Sequence, residues 1–527
     1  MSAVPAESPA PPIATAPKKR HWEINPIVVK ELRQAVRNWT VTTALLVLLL
    51  ICFLVTVAFL LNESANDQRS QAMGSEVFTA LLGILTTVSL SFLPLYVGVR
   101  LAWERTPTGI DLLYITTLTP AQIIRGKLLS GVYLAVLFFS VTMPFMVFTY
   151  LLRGVDLPNI FTMLLFLFLG NIAAIQLAIF VAALPMNRIL KLILAGFFGL
   201  NALFSVFGIA LSAAIGGRGR FSMNVLSWEF WAIALTAIGV GLLLTGLAHI
   251  CAIACVTPFA ANRALPVKLY ATAMWLMGGL LAGSWTWHEN SIEPIIGWII
   301  GTLVLLTLAL MVAVCAKDRR SLRVRESIPA NPRRRVLAYL FYNGPDNGIA
   351  WCAAIGVFTL IICVGADGVF STASTFDRNV LVSTGVLLYL LAYALSALWL
   401  QRKFLANVST KFASVIFLLL PPLLFLIPAL FFFFLNRLSW DVIDERQLGS
   451  LFNLFTDKVR EVHLQEHLIF AGGWFTLMLL LNGRWFFRQW EDFQRPRPEE
   501  TAVSTLLTAP VASTSSTYAG SPPPKLG

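Results

Sequence analysis

The stretch TVTTALLVLLLICFLVTVAFLL, residues 40–61, contains no charged residue, no glycine and no proline. A helix rises about 1.5 Å per residue, so roughly 20 apolar residues cross the hydrocarbon core of a bilayer. The run is continuously apolar, whereas the strands of a membrane β-barrel alternate, so it reads as a membrane-spanning helix. It follows a polar, Pro-rich leader and is too long for the apolar core of a cleavable signal. Runs of the same kind recur along the chain. Spans are expected at about 40–61, 77–98, 128–151, 160–185, 192–215, 228–256, 270–287, 295–315, 348–366, 380–400, 412–435 and 468–482. The expected fold is therefore all-α: a polytopic helical membrane protein of about twelve spans.

Composition agrees. The chain of 527 residues is 57% hydrophobic and 13% charged, where a soluble domain is about a quarter charged. The net charge of +12 does not point to nucleic acid, because the basic residues are unevenly placed. With twelve spans, most of the 39 Lys and Arg fall on the side that also holds both termini. The positive-inside bias puts that side, and both termini, in the cytoplasm of a cell whose inner membrane carries the chain. The six cysteines, Cys52, Cys251, Cys255, Cys315, Cys352 and Cys363, all lie in apolar runs. Cys251 and Cys255 are one helical turn apart near His249, but a metal site needs more ligands and a polar surround, so small buried thiols are expected and no disulfide framework.

Between the second and third runs lies the polar connector Trp103–Lys127, WERTPTGIDLLYITTLTPAQIIRGK. Glu104 and Arg105 open it, and Pro107 and Gly109 loosen its start. Asp111, Leu112 and Leu113 belong to a first short helix with Ile110 and Ile115. Thr119-Pro120 starts a second helix, with Thr as N-cap and Pro at the first helical position. Arg125, Gly126 and Lys127 close it. Such a loop is either a docking surface for a partner or an interfacial loop resting on lipid headgroups. Upstream, residues 1–21 form a Pro-, Ala- and Ser-rich tail expected to be disordered. Asn25-Pro26 then starts a helix in which Val28, Val29, Leu32, Val36 and Trp39 recur at helical spacing, and Lys30, Glu31, Arg33, Gln34 and Arg37 fill the other face. That pattern is an amphipathic elbow helix lying in the membrane interface.

Downstream, the organisation is a block of about eight spans within 22–316, a basic connector 317–346, a four-span block 347–493 and a Pro/Ser/Thr-rich tail 494–527. The connector carries Arg319, Arg320, Arg323, Arg325, Arg333, Arg334 and Arg335, which read as anchors to anionic lipid or as a second partner-contact surface. The extracytoplasmic loop 436–467 suggests, from Leu448, Leu451, Phe452, Leu454, Phe455 and Val459, a helix resting on the outer leaflet. Within the spans ionisable groups are few. His249 is the clearest, and Glu229 and Asp367 sit near span ends where water is within reach. Asn171, Gln176 and Asn201 are neutral and suited to gluing helices together. This scarcity weakens an ion-coupled transporter reading. No phosphate loop, HExxH, paired-acid site or GxSxG occurs, so the chain is not expected to be an enzyme or to need a cofactor.

The Trp103–Lys127 connector resembles the first cytoplasmic loop of type-2 ABC exporter permeases, the ABC-2 family. Glu104, Arg105, Asp111, Leu112, Leu113, Thr116, Leu118, Thr119, Pro120, Gly126 and Lys127 fit that loop without a gap. Thr108-Gly109 stands where the family has Gly-Thr, and Thr117 where it has its first Pro. Asn25, Pro26, Lys30, Glu31, Leu32 and Arg33 similarly resemble the family's elbow helix, especially in permeases of multicopper-enzyme maturation systems. The resemblance covers about the first 190 residues. It implies a permease subunit without its own ATP site, moved by a separate cytosolic ABC ATPase that docks on the 103–127 loop and the elbow. Substrate would pass at a permease–permease interface, with a second permease chain as a further expected partner; the usual subunit of the family has six spans. Two other readings stay open: a non-transporting scaffold or sensor descended from such a permease, and a membrane-embedded transferase.

Overall fold

The computed structural model describes residues 26–63, 73–104, 119–152, 155–184, 196, 225, 227–258, 261–318, 320–370, 373–410, 412–435, 447–456 and 459–494. Among them there is no strand, and eleven helices are long and apolar enough to cross a membrane. This is the architecture of a multi-pass membrane protein. Eleven of the twelve expected spans are present as helices; the one expected at 192–215 lies outside the described residues apart from Gly196. Both tails and Asn201 also lie outside them.

The chain divides into two compact units, Met1–Val256 and Thr257–Gly527. The sequence reading grouped the spans at 270–287 and 295–315 with the N-terminal block. Their helices instead belong to the second unit, because their partners are the helices that follow them. Five described spans fall in the first unit and six in the second.

In the first unit, α1 (Pro26–Val36) is followed by α2 (Trp39–Glu63), α3 (Met73–Thr87), α4 (Leu93–Glu104), α5 (Pro120–Leu151), α6 (Leu157–Ala183) and α7 (Trp228–Val256). A π-helical turn, Val88–Phe92, joins α3 to α4. Pro94 explains it: proline has no N–H for the carbonyl one turn back, and the helix loosens there. The core is built from Leu48 and Cys52 of α2, Phe78, Leu81 and Leu85 of α3, Phe138 and Met146 of α5, and Ile175 and Ile179 of α6. The outward faces stay apolar, as at Leu46, Leu50, Phe53 and Leu54 of α2, which suits a helix bathed in lipid.

Helices α4 and α6 approach closely where Gly98 meets Ala178. A Cβ at Gly98 would stand 3.3 Å from both the Ala178 Cβ and its carbonyl oxygen. Such small-residue contacts drive helix association when both helices are surrounded by lipid. Gly98→Leu is expected to force the pair apart and to destabilise the first unit by about 1–3 kcal/mol. Thermal unfolding in detergent measures this, and an unchanged midpoint would show the contact to be loose.

The second unit holds α8 (Ala264–Glu289), α9 (Glu293–Val314), the short α10 (Leu322–Glu326) and α11 (Pro332–Phe341), then α12 (Pro345–Phe370), α13 (Ala373–Phe404), α14 (Phe412–Leu435) and α15 (Leu464–Gln494). Helix α13 is the axis of this unit. Tyr389, Leu390, Ala392, Tyr393, Ala394, Leu395 and Ala397 are all buried, and α15 and α14 pack along it.

Three placements differ from expectation here. Of the loop expected to rest as a helix on the outer leaflet, the described residues include a 3-10 turn, Phe452–Phe455, and a π-helical turn, Val459–His463; Leu454 and Val459 are fully buried, while Leu448, Phe452 and Phe455 are exposed. Tyr393 donates its hydroxyl to the Gly449 carbonyl at 2.6 Å and accepts from the Leu451 N–H, while Tyr389 accepts from the Gly449 N–H. Gly449 sits at φ 99°, a conformation that excludes a side chain without strain. Gly449 and Leu451 are thus tied to α13. Asp367, expected to reach water, is fully buried, and Asn379 donates to it at 3.4 Å. His467, assigned to the loop, lies inside α15 with Nδ1 3.1 Å from the Tyr389 hydroxyl.

Candidate functional site

Three helices of the first unit bring four charges together. Helix α5 starts where the sequence predicted: Thr119 is its N-cap and Pro120 its first residue. The cap is a full capping box, since Gln122 N–H donates to Thr119 Oγ1 at 3.3 Å and the Gln122 side chain accepts from Thr119 N–H at 2.8 Å. Two turns on, Gly126 and Lys127 are buried. Helix α1 packs along this start of α5.

Lys127 Nζ stands 2.6 Å from Glu31 Oε1 of α1 and 2.6 Å from Glu104 Oε2 at the end of α4. Arg100, one turn before Glu104 on α4, places its guanidinium 3.4 Å from the other Glu31 oxygen. It also donates to the Gln34 side chain and, at 2.9 Å, to the Tyr96 hydroxyl. Asn38, which caps the start of α2, donates to the same hydroxyl. Two carboxylates face two cations, so the quartet is neutral as a set. Its members differ in access: the side chains of Lys127 and Glu31 are 4% and 6% exposed, that of Arg100 is 23%, and that of Glu104 is 37%. Inside, charges hold each other in low dielectric; at the rim, Glu104 is free to exchange with water or another molecule.

This arrangement corrects the reading of Glu31 in α1. The helix is present, but its inward face is Val28, Glu31 and Ala35, with Leu32 half-buried. Val29, Val36 and Trp39, also of the expected apolar face, are exposed, as are Lys30 and Arg33. Glu31 was placed on the polar face and is instead a buried ion-pair partner. Of the loop residues predicted, Glu104, Thr119, Pro120, Gly126 and Lys127 lie at its two ends. Arg105, Gly109, Asp111, Leu112 and Leu113, and Asn25 before α1, lie outside the described residues. Arg100 and Tyr96 were missed. Their signal was an i, i+4 ladder, Tyr96, Arg100, Glu104, continuing one helix face past the apolar run.

The basic connector of the second unit has a comparable clasp. Arg320 Nη2 lies 2.6 Å from Asp346 Oδ2, with the two side chains 4% and 0% exposed, and it also donates to Asn347 Oδ1 at 2.8 Å. Lys268 of α8 donates to the carbonyls of Leu340 and Tyr342, closing the C-terminal end of α11. Tyr339 and Tyr342 pack on Phe493 of α15, with Tyr339 also against Trp490. Burial pushes the Tyr339 phenol well above its ordinary range; Asp346 adds to the shift and Arg320 opposes it. Arg325 is 3.7 Å from Asp492, and Arg335 donates to the Gln494 carbonyl. Arg323, Arg333 and Arg334 remain exposed, and Arg319 lies outside the described residues. In both units, therefore, the connector between the second and third described spans has its ends tied by a 2.6 Å ion pair, Glu104 to Lys127 and Arg320 to Asp346.

The remaining polar candidates act between helices. Gln176 of α6 lies 3.0 Å from His249 Nδ1 of α7. Among the described residues, no group of three or more His, Cys, Asp and Glu is arranged to hold a metal, and none of the six cysteines is in a disulfide. Comparisons of the chain with protein-family models, with curated proteins and with solved structures each find no match.

Proposed function

We propose that this chain is the membrane-spanning permease subunit of an ABC transporter of the type-2 exporter kind, driven by a separate cytosolic ATPase. The observation that carries the reading is the ionic junction at Lys127. One buried ammonium holds the N-terminal helix, through Glu31, and the end of the second span, through Glu104, against the start of the third. Those are the two segments, elbow and loop ends, on which the resemblance would have an ATPase push. A charged junction suits this work, because it transmits force through short, directional contacts while α1 and the loop ends move as one body.

The span count supports the same reading. With the span expected at 192–215, each compact unit would hold six, the usual number for one permease of that family. One chain would then supply both halves, and no second permease chain would be required. Both units would carry a clasped connector between their second and third spans, on the side that the basic residues assign to the cytoplasm.

The test is recovery of an ATP-binding protein when the full chain is purified from native membranes in mild detergent, with co-purifying proteins identified by mass spectrometry. Glu104→Ala removes the most exposed member of the quartet and leaves Glu31 on Lys127. The variant is expected to keep its thermal midpoint, since partly exposed ion pairs contribute only about 0–1 kcal/mol, and to lose most of the ATPase. Recovery of the chain alone from wild-type membranes, or with partners that bind no nucleotide, would favour the scaffold or the transferase.

A further inference from the structure

At the end of the second unit that carries the basic connector, α13 and α15 leave hydrogen-bonding groups without partners. Arg402, in the last turn of α13, stacks on the Trp485 ring of α15, its guanidinium carbon 3.5 Å from the ring centroid. Its Nη1 donates to Asn482 Oδ1 at 3.2 Å. Asn482 is 2% exposed and is itself fixed, donating to the Leu395 and Met478 carbonyls. The guanidinium is thus held from one edge and one face. Its Nη2 is buried and meets no acceptor, and the neighbouring Trp485 Nε1–H is also buried without one. Gln489, one turn beyond Trp485 on α15, has a buried Oε1 that meets no donor. The acids whose charges reach Arg402, Asp318 and Asp346, do not satisfy it, and Asp346 is committed to Arg320.

A buried donor left unmade is expensive, and a charged one more so. Two such donors in one stack, with an acceptor one turn away, describe the complement of an anion that also carries a hydroxyl or amine. The depth identifies the source. The apolar run of α15 ends at Leu481, and Arg484, Trp485 and Arg488 follow. Arg484, Arg488 and Lys403 are exposed around the stack, and Lys403 lies over Trp399. Trp and basic residues at the end of an apolar helix mark the headgroup level of a bilayer.

We propose that Arg402, Trp485 and Gln489 form a binding site for one phospholipid: the phosphodiester is held by the Arg402 Nη2 and the Trp485 indole N–H, and a headgroup hydroxyl is donated to Gln489. The site is independent of the exporter reading, since it requires only that the chain lie in a membrane.

The experiment uses the full chain, purified and stripped of lipid in detergent. Native mass spectrometry and thermal shift are recorded against phosphatidylglycerol, phosphatidylcholine of the same acyl chains, and inorganic phosphate. Wild type is expected to retain one phosphatidylglycerol and to be stabilised by it, with phosphatidylcholine weaker and phosphate inert. Trp485→Phe keeps the stack and removes only the N–H, so its midpoint without lipid should hold while its affinity falls about threefold; Arg402→Gln should lower affinity about tenfold. Equal stabilisation of wild type and both variants by phosphatidylglycerol would overturn the site, as would no binding at all. A shift reproduced by inorganic phosphate would overturn the lipid assignment. If Arg402→Gln fails to fold, Trp485→Phe alone decides: undiminished affinity for phosphatidylglycerol in that variant rejects the proposal.

Discussion

Lys127→Met is expected to destabilise the first unit by about 3–5 kcal/mol, because it removes one partner of a buried ion pair and leaves the other unpaired. The lysine side chain is 4% exposed and lies 2.6 Å from each of two carboxylates. Methionine fills much of the same volume, so packing changes little; what is lost is the charge between Glu31 and Glu104. Glu104 can turn to solvent, but Glu31 cannot, and Arg100 at 3.4 Å compensates it only in part. A double-mutant cycle separates the causes. Adding Glu31→Gln to Lys127→Met should recover much of the loss, because the stranded charge is removed with its partner. Unfolding midpoints of the four proteins in one detergent provide the measurement. Full additivity of the two substitutions would mean that Glu31 and Lys127 do not interact.

Asp346→Ala is expected to have an effect of the same size, about 3–5 kcal/mol, on the second unit. Arg320 would stay buried with the Asn347 oxygen as its remaining short contact. The consequence should be local before it is global. Asp346 holds the connector against the start of α12, so its loss should free the segment carrying α10 and α11. Limited trypsin digestion reads this directly, since Arg323, Arg333 and Arg334 are exposed and await only backbone mobility. Cleavage there should accelerate while the spans stay intact. Arg320→Leu combined with Asp346→Leu should be milder than either single change, because replacing a whole buried pair by apolar groups is often neutral. A digestion pattern identical to wild type in Asp346→Ala would show the connector to be held by its aromatic contacts with α15 instead.

These two sites also divide what could be read in advance from what could not. The capping box at Thr119 and the start of α5 are local: a hydroxyl, a proline and a glutamine within four residues satisfy the free N–H groups of one helix end. The spans are legible for a related reason. Crossing a bilayer needs about 20 apolar residues in one run, and no tertiary partner is required to make that favourable. The interior of the site is different. Glu31 sits among lysine and arginine on α1, and helical spacing alone assigns it to water. It is buried because Lys127, 96 residues away, is presented by another helix at 2.6 Å.

The sequence by itself determined the solvent of this protein, the number and course of nearly all its spans, and the ends of helices whose caps are local. Only the tertiary structure decided which ionisable groups leave water. Asp346, Asp367 and His467 all read as span-end or loop residues and are fully buried. The helices run beyond their apolar windows and carry these groups into contact with partners from distant segments. Apolar residues are driven out of water one at a time, in proportion to their own area, so their fate is written locally. A charge or a polar ring can be buried only together with its complement, and which complement arrives is a property of the packed helices.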